Sequence, residues 1–242
     1  MAEIMVGIPW GSEKLSSTTR KEHILGQMGM TPDSRVHRFG FSDGAVTAGK
    51  LLGQKAPTAA HDNDLVTAAA AAGATTVTVT LGATLASLNQ YEDGILYVND
   101  NAGEGQLFRI LSNPAAAASA TLVLTLHEKV ITALTSSSQT GLIENPYKDV
   151  VINPATTVGR PVGWTNHDVA DNSYFWMCSK GDVAALIDGT VVLGESVMPS
   201  NGTAGAVEAY VLSADIELPI VGTVTSVVNV TTDYGHIYGN ID

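Results

Sequence analysis

The sequence predicts an all-β protein: an antiparallel β-barrel or sandwich that carries a β-meander module and follows an extended N-terminal arm. Three observations lead there. Val77, Val79 and Leu81 alternate with Thr76, Thr78 and Thr80, and Leu122, Leu124 and Leu126 alternate with Val123, Thr125 and His127, which is the period-two pattern of half-buried strands. Turn residues punctuate the chain at short intervals, with 24 glycines and 9 prolines in 242 residues, as short strands require. The best helix former, the alanine-rich stretch at 67–72, is too short to hold a helix in water.

Taken in order, residues 1–38 read as the arm. Gly7-Ile8-Pro9-Trp10-Gly11 and the Gly26–Pro32 stretch break regular structure, leaving room for one short helix at 18–25 with Ser17 or Thr18 as cap and Glu22 in its first turn. Ile4, Met5, Ile8, Trp10, Ile24, Leu25, Met28 and Met30 have no periodic apolar partners of their own, so the arm is expected to dock on another surface, with methionine as an adaptable filler. Five basic residues (Lys14, Arg20, Lys21, Arg35, Arg38) stand against four acidic ones (Glu3, Glu13, Glu22, Asp33) in residues 1–40. With a net charge of −12, the remainder therefore carries −13.

Strands at 39–59 follow, with a turn at Asp43-Gly44, and belong with 146–242 in one body. Residues 60–145 read as an inserted antiparallel meander, with strands at 75–81, 94–98, 106–111 and 122–126. Residues 74–81 echo 119–126 at a shift of 45. Beyond Pro146, Asp188-Gly189 between two apolar runs, 183–187 and 190–193, gives the strongest hairpin signal in the chain. Further strands are predicted at 206–212, 220–230 and 236–241, the last closing a sheet.

Composition narrows the function. Charged residues are 15% of the chain, below the quarter or so usual for soluble domains, which leans toward a subunit buried against partners. A pI near 4.7 repels phosphate and argues against nucleic acid. No apolar run approaches the length of a spanning helix, so no membrane is expected. The start lacks a basic n-region and an apolar h-region, which predicts synthesis in a cytoplasm without export. The one cysteine, Cys178, precludes an intrachain disulfide and a cysteine zinc site, and its apolar surroundings predict a buried thiol.

No catalytic constellation stands out. His61-Asp62-Asn63-Asp64 reads as a solvated turn. The loop at 99–105 fails the calcium spacing, since glycine falls where a ligand is needed and Glu104 where the glycine should be. His127-Glu128 and His167-Asp168 are adjacent pairs whose side chains point to opposite strand faces. Nucleophile-elbow and phosphate-loop patterns are missing. The chain is therefore expected not to be an enzyme and to need no cofactor or metal. Trp164 with Tyr174-Phe175-Trp176 reads as core and interface packing, with a sugar-stacking platform as the alternative.

The stretch Phe41-Ser42-Asp43-Gly44-Ala45-Val46-Thr47-Ala48-Gly49-Lys50-Leu51, the alanine-rich turn into Thr75–Gly82, Asn145-Pro146-Tyr147-Lys148-Asp149-Val150-Val151, and residues 184–194 followed by Val197-Met198-Pro199-Ser200 and Gly205-Ala206-Val207-Glu208 resemble the capsid decoration (cement) proteins of tailed bacteriophages. The resemblance covers residues 39–242. It implies a virion structural protein on the capsid exterior, often a trimer, that binds the major capsid protein and stabilises the shell by bridging its subunits. On that reading the capsid contacts are Trp10, Ile24, Leu25, Met28 and Met30 as apolar anchors, with Arg35 and Arg38 meeting acidic shell residues. The alternative function is a carbohydrate-binding head-fibre or adhesin module built on the aromatic run.

Overall fold

The computed structural model describes residues 5–20, 23–156, 159–211, 218–228 and 231–242. Glu3, Ile4, Lys21 and Glu22 lie outside them, as do Leu212 and the last two residues of the predicted strand 220–230. The described residues form β-strands and one 3-10 turn at Ser12–Lys14, so the all-β reading holds. The chain divides into two compact units, residues 1–55 with 146–242, and residues 56–145.

The second unit is a six-stranded sheet. Leu65–Val66 lies beside Gln139–Ile143, followed by Ile95–Asp100, Leu107–Ser112, Thr121–Leu126 and Thr76–Thr80. A bridge from Thr67 to Val79 joins the last strand to the first, which closes the ring and removes the open edges. Alternation does the rest: Val77, Val79, Leu96, Val98, Phe108, Ile110, Leu122 and Leu124 point inward with Tyr91 and are at most 2% exposed. The predicted four-strand meander holds for its last three strands only. Thr76–Thr80 skips to the far side and pairs with Thr121–Leu126, Thr80 opposite Thr121. The two segments that echo each other in sequence are thus neighbours in space.

In the first unit the spine is the 13-residue strand Tyr174–Leu186. Its first half pairs with Val36–Phe41 and its second half with Tyr234–Asn240. The register shifts between Cys178 and Lys180, and Gly181 takes φ 116° with the Arg35 side chain packed on it. A bulge of this kind re-aims a long strand so that it can serve two cores. One core gathers Leu51, Trp164, Cys178, Val183, Ile187, Val197, Val221 and Ile237. Another holds Val46, Leu52, Val150, Val162, Phe175 and Met177.

Two expectations are corrected here. The first concerns the arm. Met5–Gly7 runs parallel to Met28–Met30, which is antiparallel to Val36–Phe41, and Ser16–Ser17 pairs with Tyr174 and Phe175. Residues 5–20 and 23–38 therefore contribute to four strands of the first unit's sheet, and the described residues of 18–25 form no helix. Ile8 and Leu25 find the neighbours the sequence did not reveal: both are buried against Phe39 and Trp176, and the strand Val36–Phe41 gains a hydrogen-bonded partner. The second correction concerns Asp188-Gly189. Residues 184–186 pair with Tyr234, Gly235 and His236, not with 190–193, and the strand Tyr234–Asn240 sits inside the sheet between Tyr174–Leu186 and Gly222–Val224.

A recurring loop organises both units. An apolar residue makes an isolated bridge, a residue with positive φ follows three positions on, and a strand starts at the fifth. Val46, Ala116, Val169 and Val191 follow this form, with Gly49 (φ 73°), Ser119 (59°), Asn172 (53°) and Gly194 (85°) in the left-handed position. Ala70, Ala86, Leu134 and Val228 begin looser versions. The loops bridge to one another in pairs: Val46 with Val169, Val191 with Val228, Ala70 with Leu134 and Ala86 with Ala116. Each bridge is a reciprocal pair of hydrogen bonds, such as Val46 N–H to Val169 O at 3.0 Å and Val169 N–H to Val46 O at 2.8 Å. Loop backbone that would otherwise be buried without partners is satisfied in this way.

Candidate functional site

The seven residues expected to make contacts fall into four environments. Met28 and Met30 lie on the outward face of the N-terminal strands, because Gly29 between them faces Ile8 and Trp176 in the core. Met28 is the cross-strand partner of Arg38 and of Met5, so these side chains share one face. Trp10 and Ile24 stand in turns, 63% and 59% exposed. Leu25 is buried and is withdrawn as a surface anchor, since its side chain fills the cluster with Phe39 and Trp176.

The two arginines are engaged within the chain. Arg38 makes a bidentate contact with Asp242, Nε to Oδ2 at 2.9 Å and Nη2 to Oδ1 at 3.1 Å, while Nη1 donates to the Gly26 carbonyl at 3.1 Å. Burial alone would raise the Asp242 carboxyl, but hydrogen bonds from Arg38 and Ser179 hold it below the usual carboxylate range. Arg35 donates from Nε to Asp33 at 2.7 Å, and its Nη2 lies 3.6 Å from the buried Glu13. Arg35 thus turns away from Met28 and Met30 toward the strand Tyr174–Leu186. Sequence reasoning missed Asp242 and Glu13 because their partners lie 204 and 22 positions away.

Large apolar side chains are concentrated on the outside of this region: Met5, Trp10, Leu15, Ile24 and Met30 are all at least 36% exposed. Val6, Ile8, Pro9, Leu15, Tyr174 and Trp176 line a small cavity of about 210 Å³. Its floor is an aromatic cluster in which Phe39 stands edge-on to Trp176 with ring centres 5.1 Å apart and stacks on Tyr174 at 5.8 Å. Such contacts make a rigid platform.

Three of the four residues of the aromatic run are buried, and Tyr174 is partly exposed. Trp164 is fully buried, with its ring against Gly239, where a Cβ would come within 2.7 Å. Phe175 is 1% and Trp176 8% exposed.

The polar constellations are structural. His61 is buried, not solvated: its Nε2 donates to the Thr84 carbonyl at 2.8 Å, so Nδ1 accepts from the Tyr91 hydroxyl. Asn99 donates to Asp64 at 2.7 Å, tying together two loops that the sequence kept apart. His127 approaches Asp93, whereas Glu128 accepts from the Arg109 backbone at 2.6 Å. His167 contacts Thr165, while Asp168 accepts from the Ala48 N–H at 2.9 Å. Among the described residues no group of three His, Cys, Asp or Glu side chains is placed to hold a metal ion.

The first unit thus carries exposed apolar side chains at Met5, Trp10, Leu15, Ile24 and Met30 near a packed aromatic cluster. Comparison with known proteins gave no match to any family model, to any curated protein or to any solved structure.

Proposed function

We propose that this chain is a virion structural protein that binds the outer surface of a phage capsid and stabilises the shell by bridging major capsid subunits. The observation that carries the reading is the set of exposed large apolar residues within positions 5–30, on a chain whose remainder is strongly acidic. Scattered exposed leucines are ordinary, but a concentration of Met, Trp and Ile on one stretch marks a contact surface. The surface is presented by a sheet anchored in the core, so little conformational freedom is lost on docking. The sequence resemblance to decoration proteins points the same way and implies an oligomer, often a trimer. Bridging works through copy number: each bound copy adds buried area that must be lost before two shell subunits separate.

The experiment is co-sedimentation of the purified chain with shells assembled from the phage's major capsid protein. Trp10→Ala should weaken binding by about 30-fold, the cost of an aromatic hot spot, and Trp10→Ala with Ile24→Ala should abolish sedimentation. Trp10 and Ile24 are exposed, so both variants keep the fold. Unchanged sedimentation of the double variant would remove this face from the account.

A further inference from the structure

A second surface of the first unit has the make-up of a ligand site. Lys14, Arg35, Asn166, Asp168 and Tyr234 line an open groove of about 590 Å³ whose floor is formed by Thr47, Ala48, Gly49 and Ala184. That volume lies in the range of small-molecule sites. Its polar groups are unusually idle. Lys14, Asn166 and the Tyr234 hydroxyl make no side-chain hydrogen bond or ion pair among the described residues. Asp168 uses only Oδ1, on the Ala48 N–H, which leaves Oδ2 free. Arg35 has Nη1 unengaged beyond its contacts with Asp33 and Glu13. The Tyr234 ring, half exposed, lies over Gly49, where a Cβ would come within 2.5 Å of it. Gly49 is left-handed (φ 73°), so the same residue sets the loop and makes room for the ring.

We propose that this groove binds an acidic saccharide. The Lys14 ammonium, which has no carboxylate partner among the described residues, and the unengaged Nη1 of Arg35 are donors that a carboxylate can accept from. Asp168 would repel a bare inorganic anion, so the ligand must also bring hydrogen-bond donors, which sugar hydroxyls supply to Asp168 and to the Asn166 carboxamide. The face of Tyr234 suits the apolar C–H side of a pyranose ring. A uronic or sialic acid residue carries all three features within one ring. None of Met5, Trp10, Leu15, Ile24 and Met30 lines the groove, although Lys14 is the chain neighbour of Leu15, and the inference does not rest on the shell-binding reading.

The test is titration of the full chain, by calorimetry or by NMR shift mapping, with uronate and sialate oligosaccharides beside their neutral counterparts, an acidic peptide and inorganic phosphate. Acidic saccharides should bind at least about tenfold more tightly than the neutral set and than phosphate. Lys14→Ala and Tyr234→Ala, both on the surface, should each weaken that binding by about tenfold or more while leaving the melting curve unchanged. Absence of acidic-saccharide binding at about 10 mM, equal binding of the neutral sugars, preference for the peptide or phosphate, or binding untouched by both variants would each overturn the assignment.

Discussion

His37 is 1% exposed, and neither ring nitrogen has a hydrogen-bond partner. Burial first, then the neighbouring Arg35, pull its pKa from 6.5 to about 4, against weaker opposing effects from Glu13 and Asp33. In the unfolded chain the imidazole takes up its proton near 6.5. Between these two values the unfolded state holds the extra proton, so stability falls as pH drops from about 6.5 to about 4 and is level again below. The loss is of order 3 kcal/mol. His37→Leu should flatten this part of the stability–pH curve in urea melts, because an apolar side chain needs no partner there. Cys178 follows the same logic with opposite sign. Burial pushes its thiol up to about 12, so iodoacetamide should leave the native protein unlabelled at neutral pH and label it fully in denaturant. Its burial was legible from Trp176-Met177 beside it in sequence, whereas nothing local marked His37, whose surroundings come from Glu13 in the 3-10 turn and Cys178 on the neighbouring strand.

At the scale of elements, the recurring bridge-and-turn loop explains both what the sequence disclosed and what it hid. The left-handed position is glycine at 49 and 194 but Ser119 and Asn172 elsewhere, so no single residue type repeats. The apolar anchor is equally variable, valine or alanine. Asparagine tolerates positive φ at modest cost, and β-branched residues do not. Asn172→Gly should leave stability unchanged or raise it slightly, while Asn172→Val should lower it by about 1–2 kcal/mol in thermal melts. Strands with clean alternation, such as Thr76–Thr80 and Thr121–Leu126, were readable because one face meets the core and the other water. The hairpin assigned to Asp188-Gly189 was not, because Asp188 serves a different end. Its carboxylate accepts from Ser200 at 2.7 Å and from Thr231 at 3.0 Å, and those hydrogen bonds, the Ser200 one foremost, keep it below the usual carboxylate range. Gly189 does take a left-handed φ of 83°, but the strand that follows, Ser196–Pro199, pairs with Val207–Ala209 and Gly222–Val224.

For the whole molecule, the all-β class was legible from period and punctuation alone, but the place of residues 5–38 was not. Short segments of three residues, Met5–Gly7 and Met28–Met30, carry no periodicity and are strands only because a sheet edge receives them. Deleting residues 1–38 therefore removes sheet and core together and should yield an unfolded or aggregating first unit, in contrast to the folded body that a free arm would leave behind. The second unit closes its own ring around its own core, so residues 56–145 expressed alone should melt in one cooperative transition. The exposed apolar set was half visible: Trp10, Ile24, Met28 and Met30 could be nominated as apolar residues without local partners, but only the fold separates them from Ile8 and Leu25, which the core absorbs. The central claim, that this chain acts by gripping a shell, is tested most directly by cryo-imaging of shells from the phage's major capsid protein with and without the purified chain. The account predicts added density at regular positions over the outer surface, with residues 5–30 at the contact. Bare shells, or density confined to a ring at the neck, would contradict it.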